Sequence, residues 1–547
     1  MSDEMPRDDT TSGNASPGEM KHNEAQMLRD AGKLSVLTMI SRVLGLVREM
    51  TKASFLGTGA LSDAFTVAFT IPNFMRRLFA EGSISVAFIP TFKGYLHDAD
   101  DKATREFLSA SITVLTLAVG AVVAAGMAAS PWIVRAFGSE PVETAILTRM
   151  MFPFLGLVSI AALLQGILNS YGVFSPSGFA PILFNLCFIF VPQIVSRFTA
   201  NPARAMAIGV VVGGFAQAIC QLPAVLRTGR RFGFISPGRA FRNPGMRKVF
   251  ALIAPTVFGM AAYQINDLVS TAFASRAGQG TASSLQYSLR LQELILGVFA
   301  VSAGTVLLPA LSDAVRRGDW GKYVSSLGRS VRSILLATIP VAVFSMIAGR
   351  EIVILLFRKG GFGEESVNLT TQAFFWHQTG LAFIAFNRIV APAFYAKSDS
   401  KTPTLAGIVS FAVNIVLVAL VATPLKGAGI AAALSLSAAV NSAILIYFLL
   451  RTKLDGMSRE LTGIGRYALR LTAFSLVAAI PTYFLRTSLL AAFGTADSRL
   501  ISAGLPLLLM GLVFATVGIG LLAAVRDPTA VMVGGALFRR LGRRRRH

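Results

Sequence analysis

Residues 34–56 read LSVLTMISRVLGLVREMTKASFL, an apolar segment with Arg42 and Arg48 near its middle. A bilayer core is roughly 30 Å thick, and a helix of about 20 apolar residues crosses it. An arginine at the centre of such a helix costs about 2.5–3.5 kcal/mol on insertion scales, so it normally faces a wet cavity and pairs with another group. The segment therefore predicts a transmembrane helix whose arginines serve a function inside the membrane.

The composition of the whole chain is also that of a membrane protein. Of its 547 residues, 53% are hydrophobic and 14% are charged, against about 25% charged in ordinary soluble domains. Cys187 and Cys220 are the only cysteines, so the sequence predicts neither a disulfide framework nor a zinc site. The formal net charge is +23, but basic residues lie between apolar segments and in the tail Arg539–Arg546. This pattern indicates positive-inside topology and contact with anionic lipids, not nucleic-acid binding.

Apolar runs bounded by Gly, Pro or charged residues predict an all-α polytopic fold. The links after the sixth, eighth and twelfth runs are strongly basic, which predicts that both termini are cytoplasmic. The fourteen predicted transmembrane helices are residues 34–56, 63–95, 104–130, 146–171, 178–197, 203–226, 249–275, 283–312, 325–349, 366–395, 403–424, 428–450, 464–487 and 501–525.

A faint internal repeat relates the two halves of the chain. LFAEGSISVAFIP (78–90) resembles VFAVSAGTVLLP (298–309), and LRT occurs at both 226–228 and 450–452. Both offsets are about 220 residues, which predicts two six-helix lobes in parallel pseudo-repeat, followed by two further helices.

These patterns divide the chain into six parts. The first residues are polar and have no apolar core of a signal peptide, so they predict a disordered tail. The predicted parts are a cytoplasmic N-terminal tail (1–32), an N-lobe (33–230), a basic cytoplasmic loop (231–248), a C-lobe (249–452), a C-terminal helix pair (453–526) and a basic cytoplasmic tail (527–547).

Carboxylates accompany the arginines in several predicted helices. Glu49 lies on the same helix face as Arg42. Its simplest role is to neutralise one arginine so that the helix can insert into the membrane. That role explains Arg48 but leaves Arg42 unexplained. Pro72 and Gly82 allow the second helix to bend where Arg76, Arg77 and Glu81 cluster, and Arg77 and Glu81 are spaced to pair. Other charged or polar residues in the segments are Asp63, Asp267, Arg290, Glu293, His377, Asn387 and Arg388.

Two of these residues have competing interpretations. Asp267 is either a structural partner of an arginine or an ion-coupling residue. His377 lies in an aromatic stretch and is more typical of a hydrogen-bonded core residue than of a proton relay.

Arginines in both lobes predict one anionic ligand shared between them. Guanidinium stays ionised and binds phosphate as a bidentate fork, so a phosphate or pyrophosphate group is the expected partner. The sequence has no G-x-x-x-x-G-K-[S/T] loop, no H-E-x-x-H motif and no acidic cluster suited to a divalent metal. We therefore expect a transporter and not an enzyme, without ATP hydrolysis or a cofactor. Na⁺, H⁺ and the membrane potential remain alternative driving forces.

Four strings closely resemble one family: SRVLGLVRE (41–49), SDAFTVAFTIPNFMRRLFAEGSISVAFIP (62–90), SLRLQELILGVFAVSAGTVLLPALS (288–312) and APAFYAKSDSKTP (391–403). They are similar to the MurJ (MviN) family of bacterial lipid II flippases, within the multidrug/oligosaccharidyl-lipid/polysaccharide exporter superfamily. The resemblance runs from about residue 33 to 525. It implies fourteen helices, with two six-helix lobes around a central cationic cavity and a final helix pair whose groove admits a lipid tail.

The resemblance also implies an activity. The implied activity is transport by alternating access. It would carry the undecaprenyl-pyrophosphate-linked peptidoglycan precursor from the cytoplasmic to the periplasmic leaflet of the inner membrane. Thr70 stands where relatives can carry a lysine, and Asp267 is a candidate for ion coupling because some members bind sodium. The predicted substrate-binding residues are Asp63 and those that match the family's cavity motifs: Arg42, Arg48, Arg76, Arg290 and Glu81.

The expected partners are lipid II, anionic membrane lipids and cell-wall synthesis proteins. One alternative is export of another polyprenyl-pyrophosphate-linked oligosaccharide. A cationic-drug antiporter fits poorly, because a cavity of arginines repels cations. A further alternative, from another class of protein, is a non-transporting scaffold that recruits cell-wall enzymes through its basic tail.

Overall fold

The computed structural model describes residues 17–78, 84–98, 100–138, 141–230 and 232–532, and every regular element in these ranges is a helix. Two short π-helical turns, Ile84–Phe88 and Leu500–Gly504, precede α3 and α17. The α-helices are α1 (Pro17–Leu56), α2 (Ala60–Arg76), α3 (Ile89–Asp98), α4 (Asp101–Phe137), α5 (Pro141–Ser170), α6 (Ser175–Val195), α7 (Pro202–Leu226), α8 (Pro237–Arg242), α9 (Pro244–Arg276), α10 (Thr281–Arg316), α11 (Trp320–Ile347), α12 (Gly349–Phe357), α13 (Glu364–Thr379), α14 (Leu381–Ala396), α15 (Lys401–Arg451), α16 (Met457–Phe493) and α17 (Leu505–Ala524).

Each predicted segment lies on these helices to within about two residues, apart from residues 79–83 of the second segment, which lie outside the described ranges. By length and composition, eight of the described helices could cross a membrane, or nine if the bent pair α13 and α14 forms one span. The all-helical membrane fold is thereby confirmed. The count of fourteen spans and the lobe boundaries stay predictions.

The first helix differs from its prediction. Helix α1 begins at Pro17, so the chain is helical over residues 17–32, where the sequence predicted a disordered tail. Proline is favoured in the first turn of a helix because its missing N–H would have no partner there. Good helix formers such as Glu19, Met20 and Lys21 follow it.

The backbone departs from a regular α-helix at two places in the predicted segments. Pro72 lies inside α2 and removes a backbone donor, and α2 ends at Arg76 inside the second predicted segment. Lys426 has φ 46° and ψ −134° within α15, a conformation that non-glycine residues rarely adopt. Residue 426 therefore separates the eleventh and twelfth predicted helices.

Glycines bring α7 against its neighbours in the N-lobe. A Cβ atom on Gly213 would lie 2.7 Å from Phe184 Cδ2, and one on Gly214 would lie 2.7 Å from Phe154 Cδ2. Helices in a bilayer associate mainly through such close packing of small residues. In the C-lobe, α16 packs on α11 through Tyr467 and other buried apolar residues, so the C-terminal helix pair lies against this lobe.

Polar contacts join the predicted lobes near the C-terminal end of α1, which the charge pattern assigns to the periplasm. The Gly361 amide donates to the Ser54 carbonyl (2.8 Å). Asp63 accepts hydrogen bonds from the backbone and hydroxyl of Ser283, 220 residues away, and Thr66 contacts Gln286 at the same separation. When two repeats are related by a two-fold axis, a residue contacts its own equivalent in the other repeat only if both lie at that axis. These pairs support the predicted repeat.

Gly213→Ala should destabilise the N-lobe, because the new methyl group would displace the Phe184 ring. We expect a loss of about 1–3 kcal/mol, the usual cost of overpacking, seen as a lower melting temperature in detergent. Gly120→Ala is the matched control, because Gly120 lies on α4 with nothing within 4 Å of its added Cβ atom. Equal melting temperatures for the two variants would contradict the close packing of α6 and α7.

Candidate functional site

A cavity of about 560 Å³ lies between the N-lobe helices and α10. Helices α1, α2, α5, α6 and α7 each contribute residues at helical spacing, so one face of each forms part of the wall. Helix α1 contributes Ser41, Arg42, Gly45 and Arg48; α2 contributes Phe69, Asn73 and Arg76; α5, α6 and α7 contribute mainly small, aromatic and amide side chains; and α10 contributes Arg290.

Five arginines line this cavity: Arg42, Arg48, Arg76, Arg77 and Arg290. They come from α1, from the end of α2 and from α10, so both predicted lobes contribute. Among the described lining residues there is no aspartate or glutamate. The structure thus brings together the four arginines that the sequence predicted and adds Arg77.

Arg48 is held by three kinds of contact. Its Nη1 donates to Asn185 Oδ1 (3.2 Å), and its Nη2 donates to Glu49 Oε1 (2.8 Å). Its guanidinium carbon lies 5.8 Å and 5.5 Å from the ring centroids of Phe184 and Phe188, within cation–π range. The guanidinium is therefore fixed in position without being fully neutralised.

Glu49 links arginines of both lobes. It is 7% exposed, and its Oε1 also lies 3.7 Å from Arg290 Nε. Arg290 in turn donates to Glu293 Oε2 (2.6 Å). Glu49 therefore pairs with Arg48 and Arg290, and Arg42 instead donates to the Gly297 carbonyl (3.1 Å).

The predicted carboxylates have different placements. Asp63 accepts hydrogen bonds from the backbone amides of Gly280 and Ser283 (2.6 and 2.8 Å). It therefore caps the start of α10 and is not among the residues that line the cavity; its role in substrate binding stays a prediction. Both of its oxygens are used by α10, because a helix start leaves unpaired N–H groups that a carboxylate satisfies. Glu81 lies outside the described residues.

A second cavity of about 100 Å³ adjoins the first, and Arg77 and Arg290 line both. Asp267 lines it too and lies 3.7 Å from Arg77. It therefore has an arginine partner, as one of its two interpretations expected; its ion-coupling role stays a prediction. Among the described residues, no group of three His, Cys, Asp or Glu residues could hold a metal ion.

His377 and Asn387 have structural contacts. The Ser288 hydroxyl lies 2.5 Å from His377 Nδ1, and the histidine is 1% exposed, which confirms the prediction of a hydrogen-bonded core residue. Asn387 donates to the Ala438 carbonyl (3.0 Å) and accepts from Ser442 (2.8 Å).

Lys52 is a buried cation that the sequence analysis does not single out. It is 2% exposed and donates to Thr66 Oγ1 (3.2 Å) and to Gln286 Oε1. Its Nζ lies 4.9 Å from the centroid of the Tyr287 ring. The sequence signal is its position one helical turn after Arg48, on the same side of α1. Lys52 thus joins α1 to both α2 and α10, beside the two cavities.

Comparison with known proteins assigns the family. The model described as "Lipid II flippase MurJ" matches residues 52–504. The chain is 42% identical over 515 residues to the "Probable lipid II flippase MurJ" of Treponema pallidum, covering 93% of this chain and 98% of that protein. It is 34% identical over 460 residues to the "Lipid II flippase MurJ" of Burkholderia cenocepacia, covering 82% and 87%. The chain belongs to the MurJ family.

Solved structures confirm the fold. "Lipid II flippase MurJ, inward closed conformation" superposes with a TM-score of 0.72 at 21% identity, covering 92% of this chain and 99% of that one. An inward-facing MATE-family multidrug transporter superposes with a TM-score of 0.62 at 14% identity, covering 80% and 98%. The family's helical transporter fold is thus shown.

Lys52→Met should weaken the contact between the lobes. Methionine keeps the apolar length of the side chain but cannot donate to Thr66 or Gln286. Hydrogen bonds to charged groups contribute about 1.5–3 kcal/mol each, so the fraction of molecules with separated lobes should rise about tenfold or more. The measurement is the disulfide yield of a Thr58→Cys, Ser366→Cys pair, whose native hydroxyls lie 2.8 Å apart, after both native cysteines are replaced.

The matched control is Lys397→Met. Lys397 also contacts an aromatic ring, Trp320, at 5.9 Å, but it lies at the end of α14, away from the contact between the lobes. Its replacement should leave the disulfide yield unchanged. A yield unaffected by Lys52→Met would show that Lys52 does not hold the lobes together.

Proposed function

We propose that the chain is a lipid II flippase of the bacterial inner membrane. It moves undecaprenyl-pyrophosphate-linked peptidoglycan precursor from the cytoplasmic to the periplasmic leaflet, with both termini cytoplasmic. The observation that carries the proposal is a cavity with five arginines and, among its described lining residues, no carboxylate. The names of the family and of its relatives support the choice of substrate.

The arginines suit a pyrophosphate chemically. Each guanidinium can donate two parallel hydrogen bonds to phosphate oxygens, and it stays charged inside the membrane. Arg48 and Arg290 pair with Glu49, and Arg290 also pairs with Glu293. Arg42 donates to the neutral Gly297 carbonyl, so these three arginines keep an excess positive charge over the two carboxylates. A pyrophosphate bridging α1 and α10 would balance that charge and draw the two lobes toward each other.

Alternating access fits the placement of the contacts between the lobes. The hydrogen bonds at Ser54, Thr58 and Asp63 lie at the predicted periplasmic end. With that end closed, the substrate would reach the arginines from the cytoplasmic leaflet. Release on the other side would require these bonds to break, while the C-terminal helix pair holds the lipid tail in its groove.

The driving force would come from ions or from the membrane potential, because the sequence has no P-loop for ATP hydrolysis. One charge crossing the membrane gains about 2.3 kcal/mol per 100 mV. Asp267 is the candidate for ion coupling. A bound Na⁺ or H⁺ there would weaken its attraction to Arg77, 3.7 Å away, and thereby link the ion to the substrate site.

Arg48→Ala and Arg290→Ala should each slow lipid II translocation in liposomes about 10- to 100-fold, the loss expected from one charge-assisted interaction. Arg388→Ala is the matched control, since Arg388 lies in a predicted membrane segment but lines neither cavity. Translocation is measured with purified protein and labelled lipid II, beside a polyprenyl-pyrophosphate lipid with a different sugar. Faster movement of the second lipid would favour the alternative exporter. Absence of translocation of either lipid by the unmodified protein would favour a scaffold.

A further inference from the structure

Helices α5 and α7 form an uncharged side of the large cavity. Its polar residues are the amides Gln165 and Asn169 of α5 and Gln217 and Gln221 of α7, which we call the amide wall. In each helix the two amides are four residues apart, so they lie on one face. All the arginines of the cavity lie on other helices.

Gln221 presents an acceptor with a fixed orientation. Its Nε2 donates to the carbonyls of Ala161 (3.1 Å) and Gln217 (3.0 Å). Carbonyl oxygens can only accept, so these two bonds determine which end of the amide is the nitrogen. Oε1 is buried and has no hydrogen-bond partner among the described residues. A buried acceptor in a cavity wall, left without a partner, indicates a ligand or water that donates to it.

The other amides of the amide wall also have donors or acceptors that no described residue uses. The side chains of Gln165 and Gln217 make no hydrogen bond within the part of the chain that the structure describes, and Gln165 is exposed to the cavity. Asn169 accepts one hydrogen bond, from Ser177 (3.2 Å). The wall therefore offers both donors and acceptors, whereas an arginine offers donors alone.

Small residues give a ligand access to these amides. Ala161, Ala162 and Gly166 lie on the same face of α5 as Gln165 and Asn169 and line the same cavity. The amides of α5 and α7 lie in the last turns of their helices, at the predicted cytoplasmic end. Arg48 lies farther from the predicted cytoplasmic surface than these amides. It is about 12 Å from the predicted periplasmic end of α1, at 1.5 Å per residue.

We infer that the amide wall binds the neutral, hydrogen-bonding part of the transported lipid, its sugar hydroxyls and amide groups, while the arginines bind the pyrophosphate. This inference rests on the proposed function. A saccharide or peptide needs partners that donate and accept without carrying charge, and the amide wall supplies them. The two sets of residues divide recognition: the arginines recognise any polyprenyl pyrophosphate, and the amide wall selects the group attached to it.

The test compares the binding of lipid II with that of undecaprenyl pyrophosphate, which has the same tail and pyrophosphate but no sugar or peptide. The double variant Gln165→Met, Gln217→Met removes two amides that hold no described hydrogen bond, so folding should be preserved. We expect its affinity for lipid II to fall about tenfold, or about 1.4 kcal/mol, with affinity for undecaprenyl pyrophosphate unchanged. Gln221→Met should act in the same direction.

Two controls separate this inference from the proposed function. Arg48→Ala should weaken both lipids equally, because both carry the pyrophosphate. Gln193→Met is the matched amide control, since Gln193 bonds to the Ile189 carbonyl on α6 and does not line the cavity. Amide-wall variants that bind lipid II normally, or that lose both lipids equally, would overturn the inference and leave the flippase proposal intact. Failure of the unmodified protein to bind either lipid would overturn the proposed function itself.

Discussion

The structure depends on one buried carboxylate that is shared by two arginines. Glu49 lies between Arg48 of its own helix and Arg290 of α10, and removing one member of such a buried group leaves an uncompensated charge at a cost of several kcal/mol. Because the two arginines belong to different predicted lobes, the same interaction stabilises the insertion of α1 and sets the distance between the lobes. In the proposed function, a pyrophosphate entering the cavity would compete with Glu49 for both guanidinium groups, so its binding would be coupled to the distance between the lobes.

Near the predicted periplasmic end, the contacts between the lobes pair charged groups with neutral partners. Lys52 bonds to neutral oxygens of Thr66 and Gln286, and Asp63 bonds to neutral N–H and O–H groups of α10. A hydrogen bond with one ionised partner is about twice as strong as one between two neutral groups. Helices in a membrane gain little from burying apolar surface against each other. Polar contacts therefore matter more to the attachment of the two lobes than the burial of apolar surface does.

The sequence predicts the features that depend on composition along one helix. Arg42, Arg48 and Arg290 stand out because a charge within an apolar segment is expensive, and all three line the cavity. Lys52 does not stand out, because a lysine near a helix end ordinarily reaches the headgroups. The contacts of Asp63 could not be predicted, since the amides that donate to it lie 217 and 220 residues further on. The packing of the lobes determines such distant partners, and a local sequence pattern does not predict that packing.

The fold positions the cavity, and the residues that line it determine what the cavity can bind. The MATE-family transporter has a similar backbone at 14% identity, and a fold alone does not determine what is bound. In this chain, charge and hydrogen bonding are segregated: arginines on α1, α2 and α10, and amides on α5 and α7. If the cavity binds a pyrophosphate-linked saccharide as proposed, neutral partners on separate helices would add selectivity for the saccharide without adding positive charge that slows the release of the pyrophosphate.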